Sequence, residues 1–255
     1  MWLVRLAYHG SAQFYDLFAH GKEEEQAFYR LLAKEAGSPA LELGVGTGIF
    51  AFALAEDGIT VVGLEQSREM LQEARKKLQR APPEIARRLL FIAGDMSAFQ
   101  LDQQFRIVYI PSGSFQYLTT REQQLGCLRS VKAHLHKDGS FVFDVYVGES
   151  DHTGIWRRLE TISLPEGGAV TRSISTRLEE TDNLIDTVIR FDVHDEAGRI
   201  TETFYDWSQL AVLTVEEVKF LLAEMHFQVE TIYSTFTRKP WAPGSKYAIF
   251  VTEPI

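Results

Sequence analysis

Ala40-Leu41-Glu42-Leu43-Gly44-Val45-Gly46-Thr47-Gly48-Ile49-Phe50 is the stretch that decides the fold. Apolar residues interrupted by one acid, glycines at every second position, and then Ile49 to Ala55 without a polar side chain describe a buried strand turning sharply into a helix. Glycine tolerates positive φ and lacks the Cβ that holds a ligand away from the main chain, so Gly44, Gly46 and Gly48 permit close approach. Free amides at the start of the following helix then face whatever binds there. A dinucleotide would call for Gly-x-Gly-x-x-Gly, but the position of the third glycine is occupied by Ile49. Glu42, two residues before Gly44, would repel a pyrophosphate and suits an ammonium group, which points to a zwitterionic amino acid.

Adenosine at one end and an amino acid at the other describe S-adenosylmethionine, and Leu41-Glu42-Leu43-Gly44-Val45-Gly46-Thr47-Gly48 resembles motif I of the class I methyltransferases. Outward from that turn the pattern repeats. Thr60 to Leu64 reads as a second buried strand ending in Glu65, 21 residues beyond Gly44, where a carboxylate accepts from both hydroxyls of a ribose. Ser67 caps the next helix, whose inward face is Met70, Leu71, Ala74 and Leu78. Leu89 to Ala93 forms a third strand ending in Gly94-Asp95-Met96, with Asp95 placed to accept from an adenine amine and the Met96 amide to reach a ring nitrogen. Ligands of open α/β sheets lie outside the carboxyl ends of the strands, so Gly44, Glu65 and Asp95 are expected to converge on one crevice.

The resemblance implies further roles. It places Met70 beside the adenine and makes Tyr15, in a Tyr-Asp pair near the N-terminus, part of a lid over the methionine end. It completes a cofactor-binding set of Tyr15, Glu42, Gly44, Gly46, Gly48, Glu65, Gln66, Met70, Asp95, Met96 and Ile110. Phe105 to Ile110 is the fourth strand, and Pro111-Ser112-Gly113-Ser114 follows where the family brings the methyl group to its acceptor. Arg106 stands where related enzymes often have aspartate. The Asn-Pro-Pro-Tyr signature of nucleic-acid base methyltransferases is absent.

Three helices are marked by their termini and stripes. Lys22-Glu23-Glu24-Glu25 opens one with Phe28, Leu31 and Leu32 inward, Thr119 with Glu122 caps one with Leu125, Leu128, Val131 and Leu135, and Thr214 with Glu217 caps one burying Val218, Leu221, Leu222 and Met225. Ser140 to Tyr146 is the fifth strand. From about Gly148 to Leu210 the rhythm changes to strict alternation, with Ile185, Thr187, Ile189, Phe191 and Val193 on one side, which describes antiparallel strands. Two last strands, 228–236 and 246–252, pair as a hairpin giving the sheet an antiparallel edge.

The expected architecture is therefore a Rossmann-like α/β sheet of seven strands, mostly parallel with the last antiparallel, flanked by helices. Residues 1–147 and 211–255 form the binding domain and 148–210 a β-rich lid. Ser114, Tyr146, Trp156 and Trp207 are candidates to line an acceptor pocket. Asp144, Tyr15 and His20 are candidate bases if the acceptor must lose a proton.

Composition narrows the function classes. A net charge of −9 argues against a nucleic-acid backbone as partner. One cysteine, Cys127, excludes an intrachain disulfide framework and Cys-rich zinc sites, and no His-Glu-x-x-His or comparable spacing suggests another metal. Neither a spanning apolar run nor a secretory leader is evident, so the expectation is a soluble cytoplasmic protein without membrane partners. The sequence thus reads as a methyltransferase acting at nitrogen or oxygen of a small molecule. The alternatives are an NAD(P)-dependent oxidoreductase, disfavoured by Glu42 and Ile49, and a non-catalytic S-adenosylmethionine-binding protein.

Overall fold

The computed structural model describes residues 11–19, 22–148 and 152–255. Helix α1 (Glu23–Ala36) precedes strand β1 (Ala40–Leu43), followed by α2 (Ile49–Glu56), β2 (Val61–Glu65), α3 (Arg68–Arg80), the short α4 (Pro83–Ala86), β3 (Leu89–Ala93) and β4 (Phe105–Ile110). Helix α5 (Arg121–His134) leads directly into β5 (Leu135–Tyr146). Strands β6 (Arg157–Ser163), β7 (Ala169–Glu179), β8 (Leu184–His194) and β9 (Ile200–Ala211) come next, then α6 (Val215–Glu224), β10 (Phe227–Tyr233) and β11 (Tyr247–Pro254).

Seven strands form one sheet in the order β10-β11-β5-β4-β1-β2-β3. All four residues of β1 are buried, as a central parallel strand covered on both faces requires. Successive residues serve opposite cores. Val108 and Ile110 of β4 join Leu41, Leu43, Phe143, Leu128 and Leu222 under α5 and α6, while Ile107 and Tyr109 join Ala40, Tyr29, Phe50 and Leu71 under α1, α2 and α3. Helix α2 carries no polar residue before Glu56 because it packs against α1, α4 and the sheet. Strand β11 runs antiparallel to both β5 and β10. It therefore lies inside the sheet between them, and the edge belongs to β10.

Local expectations hold with shifts. Ser67 caps α3 and Thr214 forms a full capping box with Glu217. The box of α5 is Thr120 with Gln123, one residue beyond the expected Thr119 and Glu122. Both pairs satisfy the same four-residue pattern, and extended backbone at Thr120 selects the second. Leu31 is 45% exposed, because α1 turns Glu25, Phe28, Tyr29 and Ala33 inward. Strand β5 begins at Leu135, five residues before Ser140.

Strands β6 to β9 form a separate antiparallel sheet in sequence order. Its register pairs Arg172, Phe191 and Phe204 side by side, and this face receives the N-terminal segment. Two short 3-10 turns, Ala12–Phe14 and Asp16–Phe18, press Phe14 and Phe18 against Phe191 with ring centroids 6.0 and 5.7 Å apart. Ser11 donates to Asp206 of β9. On its other side the segment reaches the glycine turn, where Asp16 accepts from Thr47 Oγ1 at 2.5 Å and from Lys77 at 2.7 Å. Residues 11–18 are thus a strap joining the small sheet to the large one. Among the described residues, no helix is long and apolar enough to cross a membrane.

Candidate functional site

Strand order reverses between β1 and β4, and at such a switch point the loops leaving the two strands diverge and open a crevice. A cavity of about 130 Å³ lies there, lined by Tyr15, Gly44, Gly46, Glu65, Gln66, Met70, Met96 and Ser114 among others. A narrower recess adjoins it, lined by Tyr15, Glu42, Gly44, Phe50, Ser112 and Ser114. The glycine turn forms the wall between. Gly46 takes φ of 56° and lines both spaces, so a side chain there would be strained and would intrude on any ligand.

Glu65 braces that turn from the end of β2. One carboxylate oxygen accepts from the Gly46 amide and the other from the Ser67 amide, each at 2.8 Å. Burial nevertheless raises its pKa above the ordinary carboxylate range. Glu42 is more extreme. It is 1% exposed, and Tyr109 donates to its Oε2 at 2.8 Å. Its Oε1 is buried without a hydrogen-bond partner. Desolvation pushes this carboxyl up to about 8, against the opposing pull of the Tyr109 bond and the Lys22 charge; the Ala51 amide in the first turn of α2 also lowers it without closing a hydrogen bond on Oε1. An acceptor buried and left incomplete is costly unless a ligand completes it.

Beneath the loop after β4 lies a second acid pair. Ser112 and Gly113 both take positive φ, turning consecutive amides inward. Glu25 accepts from the Ser112 amide and hydroxyl, both at 2.8 Å, and Asp144 accepts from the Gly113 amide at 2.7 Å and from Tyr29 at 2.9 Å. Burial, reinforced by the Glu25 charge, raises Asp144 to about 7, and burial raises Glu25 as well. These carboxylates fix the loop that carries Ser112 and Ser114.

The residues expected to act together divide into two groups. Tyr15, Glu42, Gly44, Gly46, Glu65, Gln66, Met70, Met96 and Ser114 come together around the two adjoining spaces. Gly48 instead starts α2 with φ of 86°, where a Cβ would lie 3.1 Å from Phe52 and Phe91. Asp95 accepts from the Ser97 amide at 2.8 Å and lies outside the cavity lining, which its neighbours Gly94 and Met96 reach. Ile110 is wholly buried in the core. Asp144 sits under the loop rather than in the crevice. Tyr146 packs on Tyr247 and lines a separate groove of about 660 Å³ between the two sheets.

Trp207 stands opposite Val188, one residue out of phase with Phe191 and Phe204, so it projects from the face of the small sheet turned away from the strap. Tyr205 shares that face and Trp156 packs against it, with Arg190 over the Trp156 ring. Both tryptophans are therefore on the outer face rather than in an acceptor pocket. His20 lies outside the described residues.

Sequence reasoning missed Glu25, Lys22, Tyr29 and Tyr109. The signal for Glu25 was its spacing, since it stands three and four residues before Phe28 and Tyr29 on the inward face of α1. No metal-holding group of three or more His, Cys, Asp or Glu occurs among the described residues.

The donor set fits S-adenosylmethionine. Glycine backbone, an acid at the end of β2 and the Met70 and Met96 side chains surround the larger cavity, and the incomplete Glu42 carboxyl in the recess matches an α-ammonium. Residues 40–139 match a family described as a methyltransferase domain. YqeM of Bacillus subtilis (strain 168) is 32% identical over 143 residues, 55% of this chain and 56% of that protein. The chain thus matches only about half the length of such curated relatives. The CcbJ methyltransferase of Streptomyces caelestis shares the fold, with a TM-score of 0.79 at 21% identity and 95% of each chain covered. The glycopeptide N-methyltransferase MtfA, solved with S-adenosyl-L-homocysteine, is 26% identical with a TM-score of 0.60, over 90% of this chain and 87% of that one. Residues 40–139 thus match the methyltransferase-domain family, and the fold is shared with S-adenosylmethionine-dependent methyltransferases.

Proposed function

We propose that this protein transfers a methyl group from S-adenosylmethionine to a nitrogen atom of a small-molecule acceptor. The observation that carries the cofactor half is the buried, uncompleted Glu42 Oε1 in a recess walled by the glycine turn. Glu65 and Gln66 would meet the ribose, Met70 and Met96 the adenine, and Tyr15 would cover the amino-acid end. When bound, the cofactor supplies a sulfonium methyl open to in-line displacement. The protein's own contribution is alignment and exclusion of water, which can be worth up to ~7–11 kcal/mol. The strap at residues 11–18 would supply both by holding Tyr15 over the crevice. Residues 148–210 would act as a lid, with 1–147 and 211–255 binding the cofactor.

Nitrogen is favoured over oxygen by the likeness to a glycopeptide N-methyltransferase. The test has two stages. S-adenosylhomocysteine is expected to raise the melting temperature while NADH does not, since ligand at about 100 times its Kd adds ~2.7 kcal/mol. A response to NADH alone would overturn the cofactor assignment. Methyl-labelled cofactor incubated with matched panels of small amines and alcohols should then label the amines. Labelling of alcohols alone would move the acceptor to oxygen, and no labelled product across broad metabolite extracts would favour a binding role without catalysis.

A further inference from the structure

One cation, Lys22, acts on three buried acids, Glu42 in the recess and Glu25 and Asp144 beneath the adjoining loop. Lys22, at the start of α1, donates to Ser112 Oγ at 2.9 Å and to Tyr15 Oη at 3.4 Å. Its ammonium lies 5.4 Å from the centre of the Phe50 ring and 5.6 Å from that of Tyr15. All three of these partners line the recess that also holds Glu42. The Lys22 charge acts on Glu25, Glu42 and Asp144 alike.

We propose that Lys22 is the carboxylate-binding half of a zwitterion clip, pairing with the α-carboxylate of the cofactor's amino-acid end while Glu42 receives its α-ammonium. This rests on the cofactor assignment above and deepens it. A recess lined by Glu42, with Glu25 and Asp144 behind its loop, would by itself repel a carboxylate. Lys22 supplies the opposite sign at the rim, and its ammonium, held over the Phe50 and Tyr15 rings on a long stem, can turn toward a ligand without moving α1. The hydrogen bond from Lys22 to Ser112 also ties the cation to the loop that Glu25 and Asp144 fix, so both halves of the clip stand on braced backbone. The clip would favour ligands keeping both charges of the amino acid over nucleosides with one or neither.

Titration calorimetry with two probes tests it: S-adenosylhomocysteine, and S-adenosyl-3-thiopropylamine, which keeps the ammonium and lacks the carboxylate. Lys22→Met is expected to weaken the first by about 10- to 100-fold and the second by less than about 3-fold, with Lys22→Arg restoring most of the loss. An equal loss for both probes would make Lys22 a structural support for Tyr15, and no loss for either would also overturn the proposal. Failure of the wild-type protein to bind S-adenosylhomocysteine would overturn the cofactor assignment itself, a result separate from any effect of the Lys22 variants. Circular dichroism of each variant establishes that it is folded.

Discussion

Replacing Glu42 by Gln should stabilise the ligand-free protein at neutral and alkaline pH while weakening its grip on the cofactor. The folded-state pKa of Glu42 is raised from 4.5 to about 8. The unfolded chain therefore releases this proton first, and stability falls as pH rises through that window. At 1.36 kcal/mol per unit the cost is ~3 kcal/mol at pH 7 and approaches ~5 kcal/mol above pH 8. Gln carries no proton to lose, so the cost vanishes in the variant. The amide oxygen keeps its bond from Tyr109, but the NH2 group then replaces an incomplete acceptor with an incomplete donor. That loss is the same at every pH and cancels when the difference between variant and wild type is followed from pH 5 to pH 8.5. Taking half the full figure, ~2 kcal/mol, the melting temperature of Glu42→Gln should gain about 4–8 °C relative to wild type across that range. Differential scanning calorimetry without ligand reads this directly. The raised acids Glu25 and Asp144 titrate in both proteins and drop out of the comparison. The same carboxyl should make wild-type affinity for S-adenosylhomocysteine rise by about tenfold per pH unit below pH 8, because binding the ammonium expels the proton. A melting difference that stays flat with pH, or an affinity slope unchanged in the variant, would refute the reasoning.

Two further outcomes follow, one from the Glu65 brace of the site and one from the ion pair between α1 and the residue after α2. Glu65→Ala removes the acceptor shared by the Gly46 and Ser67 amides, and calorimetric affinity for S-adenosylhomocysteine should fall by about 1–3 kcal/mol; unchanged affinity would remove Glu65 from the site. Asp57, held down to about 2 by Arg30, should contribute ~1 kcal/mol of stability that is present above pH 4 and lost as pH falls toward 2, so Asp57→Asn should lower the melting temperature at pH 7 and not at pH 2.

The parallel sheet was legible because its signals are local and repeated. Gly44, Glu65 and the Gly94-Met96 stretch each end a strand, and a parallel α/β sheet brings strand ends together whatever lies between them. The place of β11 between β5 and β10 was less so, since a hairpin read from sequence carries no mark of which member faces the rest of the sheet. Trp156 and Trp207 show the same limit in another form. Alternation assigns residues of a strand to two faces, but which face meets the crevice depends on a contact made by Phe14 and Phe18, far away in sequence. Asp144 was noticed for its position at a strand end, yet its role is set by Gly113 and Tyr29, which no spacing rule links to it.

The residues that escaped notice share a physical character. Glu25 and Lys22 belong to a charged run at a helix start, a pattern normally spent on solvent and the helix dipole. Here the third acid of the run turns inward because α1 rotates Phe28 and Tyr29 into the core, and Lys22 follows it to the rim of the recess. A fold that only needed stability would have filled those positions with apolar side chains, since burying Glu25 beside Asp144, and Glu42 near Glu65, opposes folding. Their cost makes sense when one cation of the chain and one of a ligand are counted with them. Lys22 offsets part of the acid charge in the free protein, and an arriving ammonium at Glu42 would offset more, so the site is most stable when a zwitterion is held in it.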